Sequence, residues 1–268
     1  MLDDPHAPAV RAAARLAGGR GRRRTGLFLA EGPQAVREAL LHRPDLVERV
    51  YATGAALAAH DDLARLVDTA RVSLAEASER VVQALADTVT PQGVVAVCRM
   101  PAPGIADVFA AGPRLLVALH EVRDPGNAGT IIRAADAAGA GGVFLTALSV
   151  DPYNPKAVRA ATGSHFHLPV VTGVALGDVR ERAAAAGIQL IAADVKGDDL
   201  LVARREGVLE RPTLWLFGNE AHGLADEQLA AADRVLRLPI YGRAESLNLA
   251  TAAAVCLYES ALALQGSR

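Results

Sequence analysis

Short, continuous apolar runs alternate with helical periodicity through the second half of the chain. The runs are Leu115–Val122, Gly142–Thr146, Leu168–Thr172, Gln189–Val195, Thr213–Phe217 and Arg234–Pro239. Runs this short and this uniformly apolar suit strands buried on both faces of a parallel sheet. Ile131–Ala138, Lys156–Thr162 and Leu176–Ala186 carry helical patterns between them. The alternation predicts an α/β fold, a mostly parallel six-stranded sheet with helices on both faces. In that architecture chemistry sits at the carboxyl ends of the strands. The closing segment, Ser246–Leu264, is apolar almost all round, as a buried helix is. Asn248, Glu259 and its small residues argue against a membrane span. Its second apolar face predicts a homodimer built through this carboxyl-terminal domain.

The first half repeats the alternation on a smaller scale. Gly26–Gly32, Val47–Thr53, Val72–Leu74 and Val94–Met100 read as strands, and Pro33–Arg43, Asp61–Ala70 and Ala75–Leu85 as helices. Together they describe a small α/β domain over residues 25–100. The Pro- and Gly-rich stretch 101–113 is the expected linker, and 114–268 the second domain.

Charge changes the picture only at the amino end. The 268 residues carry a net charge of −2, so no bulk field calls for a polyanionic partner. Residues 1–24, however, hold Arg11, Arg15, Arg20, Arg22, Arg23 and Arg24 against Asp3 and Asp4. A basic arm on an acidic body fits RNA contact. Because only Lys156 and Lys196 are lysines, arginine enrichment runs through the whole chain, and a solvated tail is the alternative. Cys98 and Cys256 sit in apolar surroundings and read as buried thiols of a reducing compartment. The start, MLDDPHAPAV, has no apolar core of secretory type, so cytoplasm is the expected location.

Candidate chemistry narrows by elimination. No G-x-G-x-x-G follows a strand and no P-loop exists. His165 and His167 place two imidazoles on one face of a strand but lack a third ligand, so they read as a polar strand edge and no metal is expected. What remains are polar residues ending three strands: Asn127 and Arg133 with the first, Asn219 and Glu220 with the fifth, Ser246 and Asn248 with the sixth. Each has a structural alternative: Asn127 or Ser246 as a helix cap, Glu220 in a first turn, Arg133 paired with a surface acid. Their joint occurrence beside Gly-rich loops points to a pocket.

These residues stand in three ordered motifs, Asn127-Ala-Gly129 with Arg133, Phe217-Gly-Asn-Glu220 with Gly223-Leu, and Leu238-Pro-Ile240 with Glu245-Ser-Leu-Asn248. They resemble the motifs of the SpoU/TrmH family of RNA ribose 2′-O-methyltransferases. Asp151–Ser164 is similar to the segment those enzymes carry between the first two motifs, and the amino-terminal domain to their L30e-like substrate-binding domain. Thr162 stands where a serine is common, and Ala221-His222 replaces a glycine and glutamate.

The resemblance implies a carboxyl-terminal trefoil knot and S-adenosylmethionine as cofactor. It assigns Gly218, Asn219, Leu238, Ile240, Leu247 and Ala193 to the cofactor. Arg133, Glu220, Asn127, Ser246 and Asn248 become the catalytic candidates. Arginine is effectively always protonated, so Arg133 suits a phosphate clamp and stabiliser of alkoxide charge better than a base. The partner implied is structured RNA, ribosomal (23S) on the two-part layout, contacted by the arm and Arg159. Transfer RNA is the alternative substrate. A non-catalytic RNA-binding or ribosome-assembly protein of the same fold, or an ordinary doubly wound nucleotide enzyme, is the rival from another class.

Overall fold

A computed structural model describes residues Met1–Gly266; Ser267 and Arg268, the end of the expected second domain, lie outside the described residues. In chain order the first elements are α1 Pro8–Ala14, α2 Gly19–Thr25, β1 Leu27–Glu31, α3 Pro33–His42, β2 Val47–Ala52, α4 Gly54–Ala59, α5 Asp61–Ala70, β3 Ser73–Glu76, α6 Glu79–Leu85 and β4 Val94–Arg99. Then come α7 Ile105–Ala110, β5 Leu115–Leu119, α8 Pro125–Ala137, β6 Val143–Thr146, α9 Pro155–Ala161, β7 Val170–Val174 and α10 Leu176–Ala185. The chain closes with β8 Gln189–Asp199, α11 Leu200–Arg205, β9 Thr213–Phe217, α12 Asp226–Ala230, β10 Arg234–Arg237 and α13 Leu249–Gly266.

Two compact units result, and neither is a continuous stretch. The first comprises Met1–Pro101 with Asp151–His167, the second Ala102–Val150 with Leu168–Arg268. All of the expected linker 101–113 except Pro101 is therefore part of the second unit, where α7 buries Val108 in its core. Conversely, the segment between the first two motifs belongs to the first unit. Tyr153, Val158 and Phe166 pack there with Phe28, and the Phe28 and Tyr153 ring centroids are 4.9 Å apart.

The first unit is a four-stranded sheet in the order β1-β4-β2-β3, antiparallel except for the β2–β3 pair. Residues 1–24 are not a detached arm. They fold as α1, a 3-10 turn and α2, and they bury Val10, Ala13 and Leu16 against the β1–β4 sheet core. Two further expectations change here. Ala75 and Glu76 lie in β3, so the helix expected over Ala75–Leu85 begins only at Glu79. Residues 164–166 form a 3-10 turn instead of a strand edge, and His165 is buried there. Burial pulls the His165 imidazole down to about 4.

The second unit is a six-stranded sheet in the order β10-β8-β9-β5-β6-β7, with every pair parallel. β5 and β9, whose residues are all buried, occupy its centre. Alternation along each strand sends side chains to opposite faces. Leu116, Ala118, Phe144, Leu214 and Leu216 meet α7 and α10 on one face. On the other, Trp215 Nε1 donates to Ser260 Oγ of α13 at 2.9 Å, and both are fully buried. That bond satisfies the one polar atom of the largest core side chain. By length and composition α13 could cross a membrane; its buried face of Ala253, Cys256, Leu257 and Ser260 makes it a core helix here.

Strand order reverses between β5 and β9. The chain runs β5, β6, β7 toward one edge and then returns to place β8 beyond β9. At such a switch point the loops leaving neighbouring strands diverge, and a crevice opens outside their carboxyl ends.

Candidate active site

Three loops meet at that crevice. After β5 the chain turns at Glu121, with a left-handed φ of 53°, and enters α8. Asp124 caps that helix, its Oδ1 accepting from Asn127 N at 2.8 Å, and Pro125 occupies the first turn. The cap role considered for Asn127 thus falls to Asp124, which leaves the Asn127 side chain for other partners.

After β9 the chain makes a tight turn closed by Asn219 N to Gly223 O at 3.1 Å and Gly223 N to Asn219 O at 2.9 Å. A Cβ on Gly218 would lie 2.5 Å from the Gly223 carbonyl carbon, so only glycine lets the two backbone stretches approach. Asn219 is buried; its Nδ2 donates to Glu121 O at 2.7 Å and fastens this turn to the β5 loop. Glu220 is not in a helix. It faces outward and accepts from Arg123 N at 3.1 Å, Asp124 N at 3.0 Å and Asn127 Nδ2 at 3.2 Å. Burial would raise its carboxyl, but the backbone N–H groups of Arg123, Glu220 and Asp124, with the Asn127 amide, outweigh that and hold it below its ordinary value.

The third loop, after β10, ends in Asn248. Its Oδ1 accepts from Ala250 N at 2.9 Å and Thr251 N at 3.3 Å, so Asn248, not Ser246, caps α13. Its Nδ2 donates to Asn127 Oδ1 at 3.0 Å. One polar chain, Glu220–Asn127–Asn248, therefore links all three motifs.

Beside this chain lies a cleft of about 470 Å³, within the range of small-molecule sites. Of the residues expected in the site, Asn127, Glu220, Ser246 and Asn248 line it, as do Asn219, Leu238, Ile240, Leu247 and Ala193; Gly218 does not, although its neighbours Phe217 and Asn219 do. Arg133 does not line it. Six residues beyond Asn127 on α8, it lies about 9 Å further along the axis and on another side of the helix. It is exposed and makes no hydrogen bond or ion pair among the described residues. The sequence reading missed Asp194 and Arg237, both cleft residues, and quoted Glu245 in the third motif without giving it a role. Asp194 lies inside the fourth apolar run, whose strand continues to Asp199, so a rule that looks past strand ends does not reach it. Arg237 is held by donation from Nη1 to Gly197 O at 2.7 Å, where β10 crosses β8 so closely that a Cβ on Gly197 would meet Val235 at 2.5 Å.

The expected RNA-contacting arginines divide. Arg11, Arg15, Arg20, Arg23 and Arg24 are exposed. Arg22 is buried, its Nη1 donating to Leu16 O at 2.9 Å and Ala17 O at 2.8 Å while its Nη2 pairs with Asp151 at 2.7 Å. Arg159 is bound to Asp87 at 2.7 Å and lies 3.6 Å from Glu31. Both are engaged as structural ties within the first unit.

Residues 114–258 match the SpoU rRNA Methylase family, and residues 7–96 match the MRM3-like substrate binding domain. The chain belongs to the SpoU rRNA methylase family. Among relatives of this SpoU protein is the 23S rRNA (guanosine(2553)-2′-O)-methyltransferase RlmP of Bacillus subtilis, 34% identical and covering 88% of this chain and 89% of its own. The 23S rRNA (uridine(2479)-2′-O)-methyltransferase of Streptomyces viridochromogenes is also 34% identical, covering 91% and 86%. The crystal structure of the SpoU methyltransferase AviRb from that organism, in complex with AdoMet, matches with a TM-score of 0.80 at 31% identity over 96% of this chain and 98% of its own.

The cleft of the SpoU protein fits such a cofactor. Leu236, Leu238, Ile240 and Leu247 offer an apolar wall for a planar base, and the lining also includes the acidic residues Asp194, Glu220 and Glu245, whose charge favours a cationic sulfonium.

Proposed function

We infer that this SpoU protein transfers a methyl group from S-adenosylmethionine to a ribose 2′-oxygen of ribosomal RNA, in the 23S molecule of the large subunit. The observation that carries the reading is the Glu220–Asn127–Asn248 chain, all three of whose members line the cleft. The cofactor, when bound, supplies an activated methyl group on a sulfonium, a leaving group that needs little help. The protein's part is therefore positioning and removal of the hydroxyl proton. Gly218 lets the turn after β9 close against Gly223, and Ala193, Asn219, Leu238, Ile240 and Leu247 line the cofactor space. Asn127 and Asn248 hold the ribose, oriented by Glu220 and the Asn248 cap, while Ser246 shapes the loop. Arg133, exposed, outside the cleft and without a described partner, is suited to clamp a phosphate that the RNA brings.

The same reading gives the first unit the role of holding structured RNA, through the exposed arginines of α1 and α2. It makes the protein a homodimer through α13, supported by the exposed Val255, Tyr258 and Leu262 on one side of that helix. It includes a knotted carboxyl end, supported by the cleft that the middle of β8 shares with the loops after β9 and β10. Bacterial relatives that modify 23S rRNA support action in the cytoplasm. The experiment is a map of ribose methylation in ribosomal RNA from cells with and without the gene. Loss of one 2′-O-methyl nucleotide is expected; an unchanged map overturns the ribosomal assignment, and calorimetry with S-adenosylmethionine then separates a different RNA substrate from a non-catalytic protein.

A further inference from the structure

His167 acquires in the fold the ligand partners its sequence neighbourhood lacks. Glu38 and His42 lie one turn apart on α3, and His167 follows the 3-10 turn Ser164–Phe166 in the segment that joins the first unit. His167 Nε2 lies 3.1 Å from Glu38 Oε2, and His42 Nε2 lies 3.3 Å from the same oxygen. The three donor atoms all fall within 4.8 Å of one another, and the two imidazole rings meet edge to face with centroids 4.6 Å apart.

We propose that Glu38, His42 and His167 form a binding site for a borderline divalent transition ion of the zinc type. Two imidazoles and one carboxylate are a ligand set such ions take readily. Bonds near 2.0–2.1 Å at tetrahedral angles put neighbouring donors about 3.3 Å apart. The two Glu–His separations already have that length, and the remaining approach is between His42 and His167. The His42 side chain is 52% exposed at the last turn of α3, so it is free to make that approach. Its exposure also leaves the fourth position open to water or an anionic ligand.

The surroundings hold the carboxylate in place. Gln34 Nε2 donates to Glu38 Oε1, which leaves Oε2 for the two imidazoles, and outer partners of this kind orient metal ligands. Gly163, at φ 101°, brings the segment against α3; a Cβ there would lie 2.5 Å from Glu38 Cγ. A bound ion would thus pin the Asp151–His167 segment to α3 inside the first unit, independently of what the second unit does.

The test uses the tag-free, full-length protein stripped with chelator, titrated with Zn²⁺ in competition with a chromophoric chelator and separately with Co²⁺. One equivalent should bind saturably at micromolar or tighter affinity, Co²⁺ should give visible bands of tetrahedral intensity, and Zn²⁺ should raise the melting temperature. His42→Gln and His167→Gln, checked for folding by circular dichroism, should each weaken binding at least about tenfold and abolish the thermal shift. Absence of saturable binding, or equal affinity in parent and both variants, overturns the site.

Discussion

Asn248 Nδ2 donates to Asn127 Oδ1 at 3.0 Å, joining the loop after the last strand of the sheet to α8 of the same unit across 121 residues of sequence. Asn127 spends its other amide atom on Glu220. One side chain therefore sets the spacing of all three motifs. Asn127→Ala should lower methyl transfer about 100-fold, the scale on which small misplacements act. Adding Asn248→Ala should cost much less than it does alone, because the two act as a unit. Initial rates of the two single variants and the double variant check this.

Glu220 predicts a pH dependence of stability. Its carboxyl titrates below the ordinary 4.5 when folded. Its contribution is therefore fully present above the unfolded value and disappears as pH falls through the lower folded one. The side chain faces solvent, so the contribution is under about 1 kcal/mol. Melting temperatures of parent and Glu220→Gln should differ at neutral pH and converge below pH 4.5.

Arg22 and its exposed neighbours should separate cleanly. Arg22→Met leaves Asp151 and two carbonyls without their donor and should destabilise the protein by about 3 kcal/mol. Changing Arg20, Arg23 and Arg24 to Gln should alter stability by no more than about 0.5 kcal/mol. Instead it should weaken RNA binding and flatten its dependence on salt. Denaturant unfolding and binding isotherms at several salt concentrations measure the two effects.

Ser260→Ala removes the acceptor of a fully buried indole N–H. The unpaired donor should cost about 1–3 kcal/mol, read as a lower midpoint in urea with an unchanged slope.

The strands of the second unit were legible because two-sided burial makes Thr213–Phe217 or Leu115–Leu119 uniformly apolar, a pattern few other environments produce. Their order was not legible, since apolar runs carry no record of which neighbour they pair with. Asn127, Glu220 and Asn248 were found because each ends a strand or opens the helix after it. Arg133 shares a helix with Asn127, but six residues at 100° each turn it away from the cleft. The helices of residues 1–24 were hidden by alanine and arginine, which tolerate burial and exposure alike; Val10, Ala13 and Leu16 were the only sign. The Glu38–His42–His167 group could not be read at all, because its members come together only through the excursion of Asp151–His167 into the first unit.

The most direct test of the methyl-transfer site is a labelled-methyl assay with S-adenosylmethionine and unmodified 23S rRNA, followed by digestion to nucleosides. Label in a single 2′-O-methyl nucleoside, with transfer sharply reduced in Asn127→Ala, is the predicted result. Label on a base, or transfer undiminished in that variant, contradicts it.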